Sequence, residues 1–155
     1  MLAPTRRSDG LTPFEMEFKT RRLVNDYVQP PKVTAKLELA QERLAEVRED
    51  LDALVARDPH ELMRALEMQS ILDCADLAAA ASLYRTESRW GLYHLRVDYP
   101  QTDDTNWFCH SMHYKDAKSR IAHRKRPVDP YVVPVAADEM AAYHHLRIKT
   151  PVAAE

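Results

Sequence analysis

The chain has only two glycines, Gly10 and Gly91, among its 155 residues. A dinucleotide-binding fold gathers several glycines in one turn so that the backbone can approach a pyrophosphate at a helix N-terminus. A P-loop has the same need. The sequence therefore predicts no FAD, NAD or ATP site built on a glycine-rich loop. Cysteine is equally sparse. Cys74 and Cys109 are too few for a disulfide framework and fit a reducing, cytoplasmic compartment. A formal net charge of −2 supplies no global field for nucleic acid or anionic membrane. No apolar run approaches the roughly 20 residues of a membrane span. The opening MLAPTRRSDG lacks the apolar core of a signal peptide. Direct membrane insertion is not expected.

What is present favours helix. The chain is 45% hydrophobic and 30% charged, enough for one domain with one core. Residues 1–11 read as a polar lead-in, 12–90 as a three-helix bundle, and 91–155 as an extended and hairpin segment packed on the bundle. The first helix opens at TPFE, with Thr12 as cap, Pro13 at the first helical position and Glu15 closing a capping box. Its apolar face is assigned to Phe14, Phe18, Leu23 and Tyr27 or Val28, and Pro30-Pro31 stops it. The second helix starts near Thr34. Leu37, Ala40, Leu44, Val47, Leu51 and Leu54 form its heptad-like stripe, and its charged faces read as solvated.

DPHE repeats the start signal at Asp58, Pro59 and Glu61. The third helix runs from Pro59 to about Tyr84 or Arg85, with Leu62, Leu66, Ile71, Leu72, Leu77 and Leu83 toward the core and Cys74 inside it. Ala75 and Ala78 to Ala81 leave a thin surface for close helix approach. The short turn between the second and third helices predicts antiparallel packing. After Gly91, LYHLRVDYP reads as extended and TDDTN as a turn or cap. WFCHSMHYK and SRIAHRKR read as a hairpin across Asp116-Ala117. PVDPYVVPV reads as a proline-rich arm, and a short helix is expected beyond Asp138.

Three kinds of site can be weighed. Cys109 and His113 on one strand sit about 13 Å apart at about 3.3 Å per residue, too far for one zinc without ligands between them. A His110–His123 pair across the hairpin leaves the site unclosed, so no metal is expected. Cys109 with His110 makes no nucleophile pair, because neighbours on a strand face opposite ways. The run of Lys118, Arg120, Arg124, Lys125 and Arg126 without an acid could bind phosphates. On a slightly acidic chain it reads instead as a protein-docking edge or a guard on an exposed strand. Nucleic acid is not expected as a partner. Arg120, Arg124, Lys125, Arg126 and Trp107 are the candidate docking residues. In ESRWGLYHLRVDYPQTDDTNW, Arg85 and Arg89 complement the helix C-terminus. Arg96 and Asp98 point the same way on an extended segment. Asp103 or Asp104 can hold Arg89 or Arg96. The plain reading is a polar network pinning the extended segment to the bundle.

The same stretch resembles the C-terminal segment of the fumarate reductase/succinate dehydrogenase flavoprotein family. The matching positions are Glu87, Ser88, Arg89, His94, Arg96, Asp98, Tyr99, Pro100, Asp103, Asp104 and Trp107. The preceding helices resemble that family's C-terminal helical domain. Trp90 and Tyr93 lean toward the adenylylsulfate reductase-like branch, whose members pair with a ferredoxin-type iron–sulfur subunit. The resemblance implies FAD in the full enzyme, none in this chain, and an anionic substrate such as fumarate, succinate or adenylylsulfate. It implies a role bracing a flavin-binding domain or subunit, with Arg89, His94, Arg96 and Asp98 as candidates facing the cleft. No catalytic role is transferred to any one residue. The alternative is a stand-alone helical interaction module without catalysis. A brace separated from its partner would expose an apolar face, through which two copies could pair.

Overall fold

A computed structural model describes residues 3–118 and 120–128. It places the three helices as α1 (Pro13–Leu23), α2 (Thr34–Glu49) and α3 (Pro59–Tyr84). A short α4 (Asp104–Trp107) precedes the antiparallel hairpin of β1 (Cys109–Lys115) and β2 (Ile121–Pro127). The fold is thus mainly helical with one hairpin. The proline-rich arm and the helix expected beyond Asp138 lie outside the described residues.

Local chemistry sets the boundaries. Thr12 and Glu15 form the reciprocal capping box, with Pro13 at the first helical position. A π-helical turn at Val24–Val28 extends α1 before Pro30-Pro31. Asp58 caps α3 by accepting the Glu61 N–H at 2.8 Å. A 3-10 turn over Asp50–Ala53 then lets α2 and α3 run back on each other. Leu11 pairs with this connection, donating to the Ala53 carbonyl at 3.2 Å and accepting from the Val55 N–H at 3.0 Å.

The core is one cluster. Met16 and Leu23 of α1 meet Leu37, Ala40, Leu44 and Val47 of α2 and Ala65, Met68, Leu72, Ala75 and Ala79 of α3. The stripe of α2 is the one its spacing predicts, with Leu51 only partly buried. Ala75, Ala79 and Ala80 are buried, whereas Ala78 is exposed and Ala81 half-buried, so only part of the alanine surface meets a neighbour.

Two faces differ from expectation. Phe14 and Phe18 are 74% and 61% exposed, because α1 turns Met16, Glu17, Thr20 and Leu23 inward. Glu17 is drawn in by Arg64 of α3, which bridges it. On α3, Leu66 is exposed and so is Cys74. Ala65, Met68, Leu72 and Ala75 mark the buried line instead. Nor are all charged faces merely solvated. Arg48 of α2 bridges Asp73 at 3.0 Å and also Asp76, both on α3. No described helix is long and apolar enough to cross a membrane.

Candidate functional site

The site grows from the way α3 ends. Arg85 leaves the helix with extended backbone, so Arg85, Glu87 and Arg89 project toward the same side. Glu87 is fully buried. Its carboxylate accepts from Arg85 Nε at 2.7 Å, from Arg89 Nε at 2.7 Å and Nη2 at 3.0 Å, and from the Asp103 N–H at 2.8 Å. Arg85 also donates to the Trp107 carbonyl at 2.6 Å and to Ser111 Oγ at 3.2 Å. Its guanidinium lies 5.2 Å from the Trp90 ring and 5.5 Å from the Trp107 ring. Arg89 reaches Asp104 at 2.6 Å. One carboxylate therefore ties the end of α3 to α4 and β1. Burial pushes the Glu87 pKa up, but Arg89, the Asp103 N–H and Arg85 outweigh it and leave it below its ordinary value. It stays ionised because it is charge-compensated on every side.

A second buried network pins residues 95–98 to the start of α2. The Lys32 N–H donates to the Leu95 carbonyl at 2.8 Å, and the Val97 N–H donates to the Lys32 carbonyl at 2.9 Å. Arg96 is fully buried. It donates to Asp98 through Nε at 2.9 Å and Nη2 at 2.8 Å, to Thr34 Oγ1 at 2.7 Å, and to the Ser82 and Arg85 carbonyls. Helix α2 has no local side-chain cap. Asp98 supplies one from 64 residues away, accepting the Thr34 N–H at 2.9 Å and contacting its hydroxyl. Arg96 first, then Thr34, holds the Asp98 carboxyl well below the usual carboxylate range despite some burial. Lys32 donates to Ser82 Oγ at 2.7 Å. Burial and the nearby Arg96 charge lower its pKa.

Beside the Glu87 network a cleft of about 490 Å³ opens, lined by Arg85, Arg89, Trp90, His94, Ser111 and His113, among others. His94 is buried, with Nε2 3.4 Å from the Arg85 carbonyl. Burial first, then the charge of Lys32, lowers its pKa to about 4, so it is neutral at pH 7. Beside the cleft stands an apolar turn. Trp90, Leu92 and Tyr93 are 65%, 75% and 86% exposed. Trp90 and Gly91 both sit at φ 59°, a left-handed conformation that suits Gly91 but strains Trp90. Bonds from the Arg89 N–H to the His94 carbonyl at 3.0 Å and from the Tyr93 N–H to the Trp90 carbonyl at 3.3 Å close it. Leu92 and Tyr93 also wall a groove with Val24, Val28, Pro30 and Pro31.

Of the four candidates expected at a cleft, Arg89 and His94 line this one. Arg96 lies fully buried behind it, with Asp98 as its partner. Arg89 pairs with Asp104, one of the pairings read from the sequence. Sequence reasoning missed Glu87 and Arg85 as the hub. Their signal was the i, i+2, i+4 spacing of Arg85, Glu87 and Arg89. Nothing in the sequence pointed to Lys32, Thr34 or Ser82.

The hairpin separates the docking candidates. Arg124 and Arg126 lie opposite Met112 and His110 on the exposed side. Arg120 is held at the turn by Asp116 at 2.9 Å. Lys125 stays exposed but lies over Trp107, with Nζ 3.7 Å from the ring centroid and 2.9 Å from the Asn106 carbonyl. Trp107 is buried. It serves as a platform for Arg85 and Lys125 and is not an exposed contact. The register also replaces the anticipated His110–His123 pair. His113 stands opposite His123, and their Nδ1 atoms are 2.8 Å apart. No group of three ligand-type residues gathers among the described residues. Neither glycine fits a flavin pyrophosphate. A Cβ at Gly10 would meet the Ala53 carbonyl oxygen at 2.3 Å, so that backbone is already covered. Gly91 opens a 3-10 turn of three residues and no helix.

Comparison with known proteins gives one answer. The family described as fumarate reductase flavoprotein C-term matches residues 19–141. A succinate dehydrogenase flavoprotein subunit of Coxiella burnetii is 30% identical over 100 residues, covering 61% of this chain and 16% of that protein. L-aspartate oxidase 1 of Ralstonia nicotianae is 39% identical over 84 residues, covering 53% of this chain and 15% of that protein. The chain thus spans about a sixth to a fifth of the length of its curated relatives. Adenylylsulfate reductase of Archaeoglobus fulgidus superposes with a TM-score of 0.78 at 29% identity, over 84% of this chain and 21% of that one. An Escherichia coli quinol fumarate reductase shares the fold, with a TM-score of 0.74 at 19% identity, over 85% of this chain and 23% of that one. Matched over most of its length, the chain belongs to the fumarate reductase/succinate dehydrogenase flavoprotein family and represents its C-terminal helical domain.

Proposed function

We propose that this chain completes an FAD-dependent oxidoreductase, bracing a flavin-binding domain or subunit and docking an iron–sulfur partner. One observation carries the bracing role. The apolar, strained turn Trp90–Tyr93 projects outward from a base locked by Glu87 and Arg96. Exposed apolar surface on a rigid, over-determined support is what a domain contact requires. Arg89 and His94 reach toward the cleft beside that turn, while Arg96 and Asp98 hold its floor in place as positioning residues. Arg124 and Arg126, with Arg120 paired to Asp116 at the turn, offer the positive face that an acidic, ferredoxin-like partner would approach, where complementary charge speeds encounter. Lys125 lies exposed on the other side of β2, over the buried Trp107 ring. In the assembled enzyme a small anionic substrate would exchange two electrons with the flavin, and the iron–sulfur partner would supply or remove them. The chain by itself would catalyse nothing. The two cysteines suit work in the reducing cytoplasm.

Co-expression with a flavin-binding polypeptide of this family from the same source tests the reading. The two should co-elute from size exclusion, and flavin retention should rise. The double variant Trp90→Ala/Tyr93→Ala should fold normally and lose the association. A chain that neither associates nor changes flavin retention would instead be a stand-alone interaction module. A self-associated species unaffected by the flavin polypeptide would point to homodimerisation.

A further inference from the structure

The cross-strand histidines have no part in this reading. His113 and His123 face each other in register on the side of the hairpin that packs on α3. Tyr84 organises them. Its ring stacks on His123 at 4.4 Å with planes 16° apart, and its edge meets His113 at 5.7 Å and 85°. The two imidazoles are 5.0 Å apart at 74°, so their Nδ1 atoms meet nearly head-on, 2.8 Å apart. In the free protein one ring donates its Nδ1 proton to the other. The neighbouring cations are engaged elsewhere: Lys115 on Asp73 at 2.8 Å, Lys125 on Trp107 and Asn106, and Arg85 on Glu87. The pair thus presents two imidazole nitrogens at close spacing on a half-open surface.

That spacing has a chemical meaning. Metal–imidazole bonds are about 2.0–2.1 Å. An ion equidistant from two nitrogens 2.8 Å apart subtends about 90° between them, the cis angle of a tetragonal site. Zinc in a tetrahedral site needs a wider opening, to roughly 3.3 Å between nitrogens. We propose that His113 and His123 form a two-ligand chelate for a divalent transition-metal ion, copper(II) in preference to nickel(II) and zinc(II). Binding requires the shared Nδ1 proton to move through solvent to the Nε2 atom of the same ring. The nearly head-on lone pairs must also each swing by about 45° to meet at a cis angle of about 90°, by rotation of the rings about their Cβ–Cγ bonds. No oxidation or reduction is involved. The histidines leave coordination positions to water, so the ion is exchangeable. The order of preference follows from tetragonal geometry together with the general affinity order of divalent ions, which peaks at copper.

The test is calorimetric titration of the full chain with copper(II), nickel(II) and zinc(II) salts at neutral pH. Tryptophan emission is followed in parallel, because the Trp107 ring packs on Tyr84 with centroids 5.2 Å apart and bound copper(II) should quench its share. The expected result is one copper per chain at this pair, bound more tightly than nickel or zinc. Loss of an outer-sphere partner alone costs about 10–100-fold in metal affinity. His113→Asn and His123→Phe should therefore each weaken copper binding at least about tenfold. His123→Phe keeps an aromatic ring against Tyr84, and an unchanged circular dichroism spectrum separates lost ligation from lost folding. His110→Asn, on the outer face, and His144→Asn/His145→Asn should leave the affinity unchanged. No copper binding by the wild-type chain overturns the proposal. So does retention of full affinity in His113→Asn and His123→Phe, or a loss found only in the His144/His145 variant.

Discussion

Replacing Glu87 with glutamine tests the hub more severely than any other single change. The substitution keeps the shape and removes the charge. In the native chain two guanidiniums and the Asp103 N–H converge on this fully buried carboxylate. Glutamine offers one acceptor oxygen, and its amide donors point at other donors. Arg85 then keeps only neutral acceptors: the carbonyls of Trp107 and Cys109 and the Ser111 hydroxyl. Breaking one side of a buried ion pair costs about 3–5 kcal/mol. Arg89 still reaches Asp104, which places the expected loss near the lower end, about 3 kcal/mol. At about 2–4 °C per kcal/mol for a domain of this size, Tm should fall on the order of 10 °C. Urea unfolding followed by circular dichroism and by tryptophan fluorescence measures the loss directly. The wild-type protein should also lose stability in acid. The pKa of Glu87 is depressed in the folded state. Its contribution is therefore present above the ordinary glutamate range and disappears as pH falls below it. Glu87→Gln should show a smaller acid decline. A destabilisation under about 1 kcal/mol would refute the idea that Glu87 organises the end of α3.

His94 makes a separate pH prediction. Its pKa falls from 6.5 to about 4 on folding, so stability is full above about pH 6.5 and declines toward pH 4, by at most about 3 kcal/mol. His94→Leu should flatten that part of the pH–stability curve. Gly10→Ala should destabilise by about 2 kcal/mol or more, because φ is 149° and the new Cβ would meet the Ala53 carbonyl at 2.3 Å; thermal unfolding reports it. Trp90→Gly relieves a left-handed tryptophan and should leave stability unchanged or raise it by up to about 1 kcal/mol, while weakening association with the flavin polypeptide in the co-elution assay.

How far the sequence carries depends on whether a signal is local. Caps, prolines and periodicity act within a few residues. That is why Thr12, Asp58, Pro30-Pro31 and the stripe from Leu37 to Val47 announce the helices, and why the turn at Asp116 announces the hairpin. The expected face of α1 holds for Leu23 but not for Phe14 and Phe18, which are more apolar than the Glu17 and Thr20 that α1 buries. The partner across the interface is Arg64, and only tertiary structure reveals that Glu17 can be drawn inward. Cys74 was assigned to the core by its apolar neighbours, yet the α3 axis turns it outward. At the site, the pairing of Arg96 with Asp98 follows from strand geometry. The capping of α2 by Asp98 does not, because it joins positions 64 residues apart. The anticipated His110–His123 pairing was three residues away from the observed register, which sets His113 against His123. Alternation shows that His113 faces inward, while only the observed turn sets it opposite His123.

The claim beneath all of this is that the chain completes a flavoprotein without holding the flavin. The absorbance spectrum of the isolated 155-residue chain after incubation with FAD and gel filtration tests it most directly. The account predicts no retained flavin by the chain alone and retained flavin once the flavin-binding polypeptide is present. One equivalent of FAD bound to the chain alone would contradict it.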